Sequence, residues 1–189
     1  MKLKKVNAVL ALFSTLALMI HVGYNIFAYL VLYYNPFLAT ATIMPCVVLI
    51  CAHAVCGMCA VFLQGDGTRL DVYGKQNRQL VIQRVTAALF FPLLILHIKA
   101  FDLEKASAGN QQWFLFVLMI IVEIIFYAVV FLHVATSFSK AFITLGILKD
   151  RKKQKTMDRI VTIVLIAVMI LLVYAVVSGK LKMFVWGGV

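Results

Sequence analysis

Apolar residues fall along the chain in five long blocks, at about 7–34, 37–63, 79–101, 112–137 (or on to 148) and 158–178. A helix rises about 1.5 Å per residue and the hydrocarbon core of a bilayer is about 30 Å thick, so each block is long enough to cross it. The pattern predicts an all-α integral membrane bundle of five transmembrane helices, a single domain over residues 1–189. The longest polar connections, Gln64 to Arg78 and Lys149 to Arg159, leave no room for a soluble catalytic domain. Composition agrees, with 64% hydrophobic residues against about 45–50% in soluble domains.

The formal net charge of +11 changes the picture only through where it sits. With the N-terminus inside, 14 of the 18 Lys and Arg fall on inner segments: Lys2 to Lys5, Arg69 to Arg84 and Lys140 to Arg159. Lys99, Lys105, Lys180 and Lys182 are left outside. That asymmetry predicts an N-in, C-out topology and argues against nucleic acid as the partner. The inner basic loops read as solvated charge that also suits anionic lipid or a soluble partner. The opening MKLKK is not read as a cleavable leader. The apolar run after it continues for about 28 residues, far beyond the 7–15 of a signal core, and includes His21 and Asn25.

Polar residues inside the blocks carry the chemistry. Cys46, Cys51, Cys56 and Cys59 all lie on the second block. One helix cannot wrap four ligands around a metal ion, so they read as packing residues. The four histidines behave differently: His21, His53, His97 and His133 occupy the first four blocks, one each. An ionisable group in hydrocarbon is costly without a partner, which makes each a functional candidate. Counting helical rise from the inner ends puts His21 and His97 in the outer half and His53 and His133 in the inner half. Two imidazoles facing one another from separate helices offer axial ligands to an iron porphyrin, and small residues nearby (Gly23, Ala54, Gly57) would let it approach the backbone. The expectation is a bundle enclosing two b-type haems, with His21 opposite His97 and His53 opposite His133. Zinc suits the pattern less well, because neither pair has a cysteine or carboxylate beside it in sequence.

The order of these helices, together with QRVT thirteen residues ahead of His97, AHAVCG at 52–57 and HVATSFSKAFITLGI at 133–147, resembles the dihaem cytochrome b membrane subunit of the succinate dehydrogenase and quinol:fumarate reductase family. The resemblance covers roughly residues 7–178. It implies the same ligand pairs, a bacterial cell membrane, and electron transfer between menaquinone and flavoprotein and iron–sulfur subunits on the cytoplasmic side. The chain itself would then do no chemistry on succinate or fumarate. Arg84 matches the family's arginine before the third ligand, which implies a contact to a haem propionate; a snorkelling interfacial arginine is the alternative. The chain departs from the family at Phe131, where some members carry a proton-conducting glutamate, and between Tyr34 and Phe37, where no acid stands.

Glu123 is read as the one carboxylate deep in the bundle: a proton carrier, a quinone partner, or a neutral carboxyl bonded to a neighbouring helix. Quinone needs hydrogen-bond donors beside a haem edge. At the outer level Tyr24, Asn25, Lys99, Gln111 and Trp113 are candidates, although such residues are also expected at any membrane interface. Gln83, Ser137 and Lys140 compete at the inner level. Two rival readings stand beside the respiratory one: a free-standing transmembrane haem protein that conducts electrons from quinol or carries or senses haem, and a structural anchor whose histidines only pack.

Overall fold

The computed structural model describes residues 2–64 and 74–185. They form five helices: α1 (Lys2–Val31), α2 (Pro36–Gln64), α3 (Gly74–Gly109), α4 (Trp113–Thr144) and α5 (Arg151–Val185). Each contains a stretch long and apolar enough to cross a membrane. The basic connection expected around Arg69 lies outside the described residues.

Short turns make two antiparallel hairpins, α1–α2 and α3–α4, and their helices pack along their lengths. Asn35 caps α2, its Oδ1 accepting from the Leu38 amide at 3.1 Å, and Pro36 takes the first helical position, where no backbone donor is needed. Gln111 turns the second hairpin with φ of +56°. At the end of α4, Gly146 adopts φ of +79°, and the amides of Gly146 and Ile147 bond back to Ile143 and Phe142. A left-handed C-terminal cap of this kind favours glycine. Asp150 Oδ1 then accepts from the Lys152 amide at 2.8 Å and starts α5.

α4 is the central helix. Its Phe126, Val130, Phe131 and Val134 meet Val22 of α1 and Leu165, Leu172 and Val176 of α5 in the main core. Phe131 is thus a core side chain. α5 bridges the hairpins by packing on α1 and α4, whereas α2 packs extensively on α1 alone. Large apolar side chains cover the outside, among them Phe13, Phe62, Ile95, Phe114 and Ile170, all more than half exposed. Such a surface suits lipid and not water.

Two helices run further than the hydropathy blocks. α3 continues from 101 to Gly109, and α5 spans Arg151–Val185 where 158–178 was expected. Polarity ends a hydrophobic block but not a helix: 102–108 holds neither Gly nor Pro, and its Glu104, Ser107 and Ala108 are buried against the bundle. The extensions overturn two readings. Lys180 is not an outer loop charge but fully buried, and Glu123 shares the interior with Glu104, which is also fully buried.

Gly179 lets α5 approach α1. A Cβ there would lie 2.7 Å from Tyr29 Cδ1 and 3.1 Å from the Tyr29 carbonyl oxygen. Small residues at such crossings permit close helix contact in membranes. Gly179→Ala should therefore destabilise the bundle by about 1–3 kcal/mol, the usual cost of overpacking. A thermal melt in mild detergent would read this as a lowered midpoint, with less added loss when Tyr29 is already alanine.

Candidate functional site

The end of the bundle that carries the N-terminus brings His53 of α2 and His133 of α4 together edge to face, with ring centroids 6.4 Å apart and planes at 65°. Each ring is held by its Nδ1. That of His53 lies 3.3 Å from the Asn7 carbonyl oxygen. That of His133 lies 3.1 Å from the Gln83 carbonyl oxygen and 3.1 Å from Thr86 Oγ1. A carbonyl can only accept, so both Nδ1 atoms carry the proton and both Nε2 atoms keep a lone pair. Histidines that bind metal are characteristically held in this way, the second nitrogen donating to a carbonyl or carboxylate. Two imidazoles bound to opposite sides of one metal ion at about 2 Å per bond have ring centroids roughly 6 Å apart. The donor set and the spacing fit a bis-histidine metal centre.

Around this pair lie the polar residues named from the sequence. Lys140 Nζ donates to Gln83 Oε1 at 2.9 Å, and Ser137 Oγ donates to the His133 carbonyl at 2.5 Å. Arg84 is half-buried on α3 one residue from Gln83, a position from which it can reach an anionic group at this level. A Cβ at Gly57 would lie 3.8 Å from Asn7 Oδ1, across the α1–α2 contact, while the space beside Gly23 is open.

His21 and His97 occupy the next level and line one cavity of about 70 Å³ with Asn25, Tyr29, Tyr127 and Phe126. The two rings are thus separated by a void. It holds roughly two waters at about 30 Å³ each, so housing a porphyrin here needs the lining side chains to open further. His21 rests against its own helix: Asn25 Nδ2 donates to the His21 carbonyl at 2.8 Å and lies 3.2 Å from the ring Nε2. His97 stacks on Phe126 with centroids 4.8 Å apart. Its Nδ1 lies 3.3 Å from Glu123 Oε1, too far off line for a hydrogen bond. A carboxylate does therefore stand beside this pair, which sequence spacing did not reveal. Among the described residues, no group of three or more His, Cys, Asp or Glu is arranged to hold a metal ion by itself, and the four cysteines are free. Neither observation favours zinc.

Glu123 belongs to a buried ion cluster that sequence reasoning missed. Lys180 of α5 bonds Glu104 of α3 at 2.5 Å and also bonds Glu123 of α4. Tyr127 donates to Glu123 at 3.2 Å, and the ammonium lies 5.9 Å from the centre of the Tyr29 ring. Three helices converge on one ammonium, and a signal for it was present. Buried Ala100, Glu104, Ser107 and Ala108 repeat every three or four residues after His97, and Leu172, Val176 and Lys180 every four.

The quinone candidates have the following surroundings. Tyr24 ties the first hairpin, donating to the Asn35 carbonyl and accepting from its amide, both at 3.0 Å. Asn25 faces the cavity beside His21. Lys99 is exposed, and Gln111 Nε2 turns back to the Ala108 carbonyl at 3.2 Å. Trp113 is half exposed and packs on Phe116 and Phe184. No protein-family model matches the chain, and neither a curated protein nor a solved structure matches it.

Proposed function

We propose that the chain is a dihaem cytochrome b that carries electrons across a membrane, serving as the quinone-reactive anchor of a succinate dehydrogenase or fumarate reductase. The observation that carries this reading is the pair His53 and His133, facing at 6.4 Å with both Nδ1 atoms turned to protein acceptors. These two residues would hold one haem, and Arg84 beside Gln83 on α3 and Lys140 about two turns past His133 on α4 would be the candidates to pair with its propionates. His21 and His97, across their shared cavity, would hold the second. Haem iron supplies reversible one-electron exchange. The chain sets the two levels on its helices and turns an apolar surface to the lipid where quinone dissolves.

The respiratory role is supported by the QRVT, AHAVCG and HVATSFSKAFITLGI segments and rests on that resemblance alone. Its test is purification of the tagged chain from its own membranes in mild detergent. The reading expects a flavoprotein and an iron–sulfur protein to come with it, and menaquinol to reduce its haem. Haem without either partner would point instead to a free-standing transmembrane cytochrome.

A further inference from the structure

A strongly basic stretch lies where α5 begins. Residues 149–159 hold six Lys and Arg against two acids, Asp150 and Asp158. One of those acids is engaged locally, Asp150 Oδ1 accepting from the Lys152 amide at 2.8 Å. Along this end of the helix runs an open groove of about 520 Å³, lined by Lys152, Lys153, Thr156, Met157, Ile160 and Val161. Residues 152, 156 and 160 and residues 153, 157 and 161 make two adjacent ridges on one helix face, about 14 Å long. The volume falls within the range of about 300–1,000 Å³ usual for ligand sites.

The groove changes character along its length. Both lysines stand on its first turn, and the apolar side chains follow. Ile160 is 56% exposed, and Val161 packs against the main core. Among the described residues neither Lys152 nor Lys153 pairs with a carboxylate. Thr156 Oγ1 donates to the Lys152 carbonyl at 3.1 Å, which leaves the two ammonium groups as the donors of the site.

We infer that this groove binds one anionic phospholipid, with its phosphate at Lys152 and Lys153 and an acyl chain along Met157, Ile160 and Val161. A free phosphate or an acidic peptide matches the lysines, but the apolar half belongs to the membrane-spanning stretch of α5 and is left without a partner. A neutral lipid covers the apolar half and leaves two ammonium groups without a counter-charge. Only an anion that carries a hydrocarbon chain answers both. Lysine stems lie along apolar surface while their charges reach the headgroup level, and each lysine near an anionic leaflet strengthens the attraction. The inference uses no histidine and no haem, so it stands or falls apart from the function proposed above.

The test is native mass spectrometry of the purified full-length chain in mild detergent, with equal amounts of phosphatidylglycerol and phosphatidylcholine added. The chain should retain one phosphatidylglycerol in preference to phosphatidylcholine. Replacing both Lys152 and Lys153 by glutamine should weaken that retention about tenfold, the order expected from losing two charges at an anionic surface. Both lysines are exposed, so the fold should hold, as circular dichroism would show. Replacing Arg151 and Lys155 by glutamine removes the same charge outside the groove and should have a much smaller effect. An excess of glycerol 3-phosphate, the headgroup without its chains, should not displace the lipid. Equal retention of the two lipids, equal losses from the two double variants, or displacement by glycerol 3-phosphate would overturn the inference. So would full retention of phosphatidylglycerol by the Lys152 and Lys153 variant, whatever soluble protein that variant failed to bring down.

Discussion

If the proposed haem reading holds, His133→Ala should remove one of two haems from the purified chain and leave the other in place. The expectation follows from the geometry at one level. His133 shares a metal-bonding distance with His53 and with no other histidine, and its ring is aimed by Gln83 and Thr86. Alanine would delete one of the two nitrogens proposed to hold that haem, and a haem left with a single ligand and no covalent tether would be lost in detergent. His21 and His97 line a separate cavity, and the haem proposed there should stay. Haem per chain, measured as the reduced pyridine complex, should fall by about half, because the levels are separate sites. Helix content by circular dichroism should hold, since His133 is half-buried and outside the main core. Loss of both haems from a folded chain would mean that the levels are not independent. Retention of both would mean that His133 is not a ligand.

Lys180→Met should be among the most destabilising single changes in the protein. The ammonium is fully buried between Glu104, also fully buried, and Glu123. Removing it leaves two carboxylates in a medium where neither is compensated. Breaking a buried ion pair from one side costs about 3–5 kcal/mol, much of it the price of the stranded charge. The loss should appear as a lowered denaturation midpoint in mild detergent. Neutralising the two partners as well, with Glu104→Gln and Glu123→Gln, should recover most of it, because a buried ion cluster replaced by neutral groups is often no less stable. A Lys180→Met protein as stable as the parent would show that the cluster is not what joins α3, α4 and α5.

The five helices were legible because crossing a bilayer requires about 20 apolar residues, and that requirement leaves a strong mark on sequence. The pairing of histidines by level was legible for the same reason, since rise per residue converts sequence position into depth. The helix ends were less so. At Glu104 and Lys180 hydropathy falls while the helical period continues, and reading polarity as loop concealed two of the three members of the ion cluster. The period itself, through Ala100, Glu104 and Ser107 and through Leu172, Val176 and Lys180, held the information. What no spacing could supply was the partner of each polar group across helices. Tyr24, a candidate quinone donor, has its hydroxyl on the backbone of Asn35. Glu123 looked solitary and instead has Lys180, Tyr127 and His97 around it. Backbone acceptors such as the carbonyls of Asn7 and Gln83, which aim the ligands, leave no trace in side-chain identity.

The most direct measurement is near-infrared magnetic circular dichroism of the full-length chain, combined with its haem content. Iron held by His21 with His97 and by His53 with His133 predicts two haems per chain, both low-spin with bis-imidazole bands. A colourless preparation, or haem whose axial ligands include anything other than two imidazoles, would contradict it.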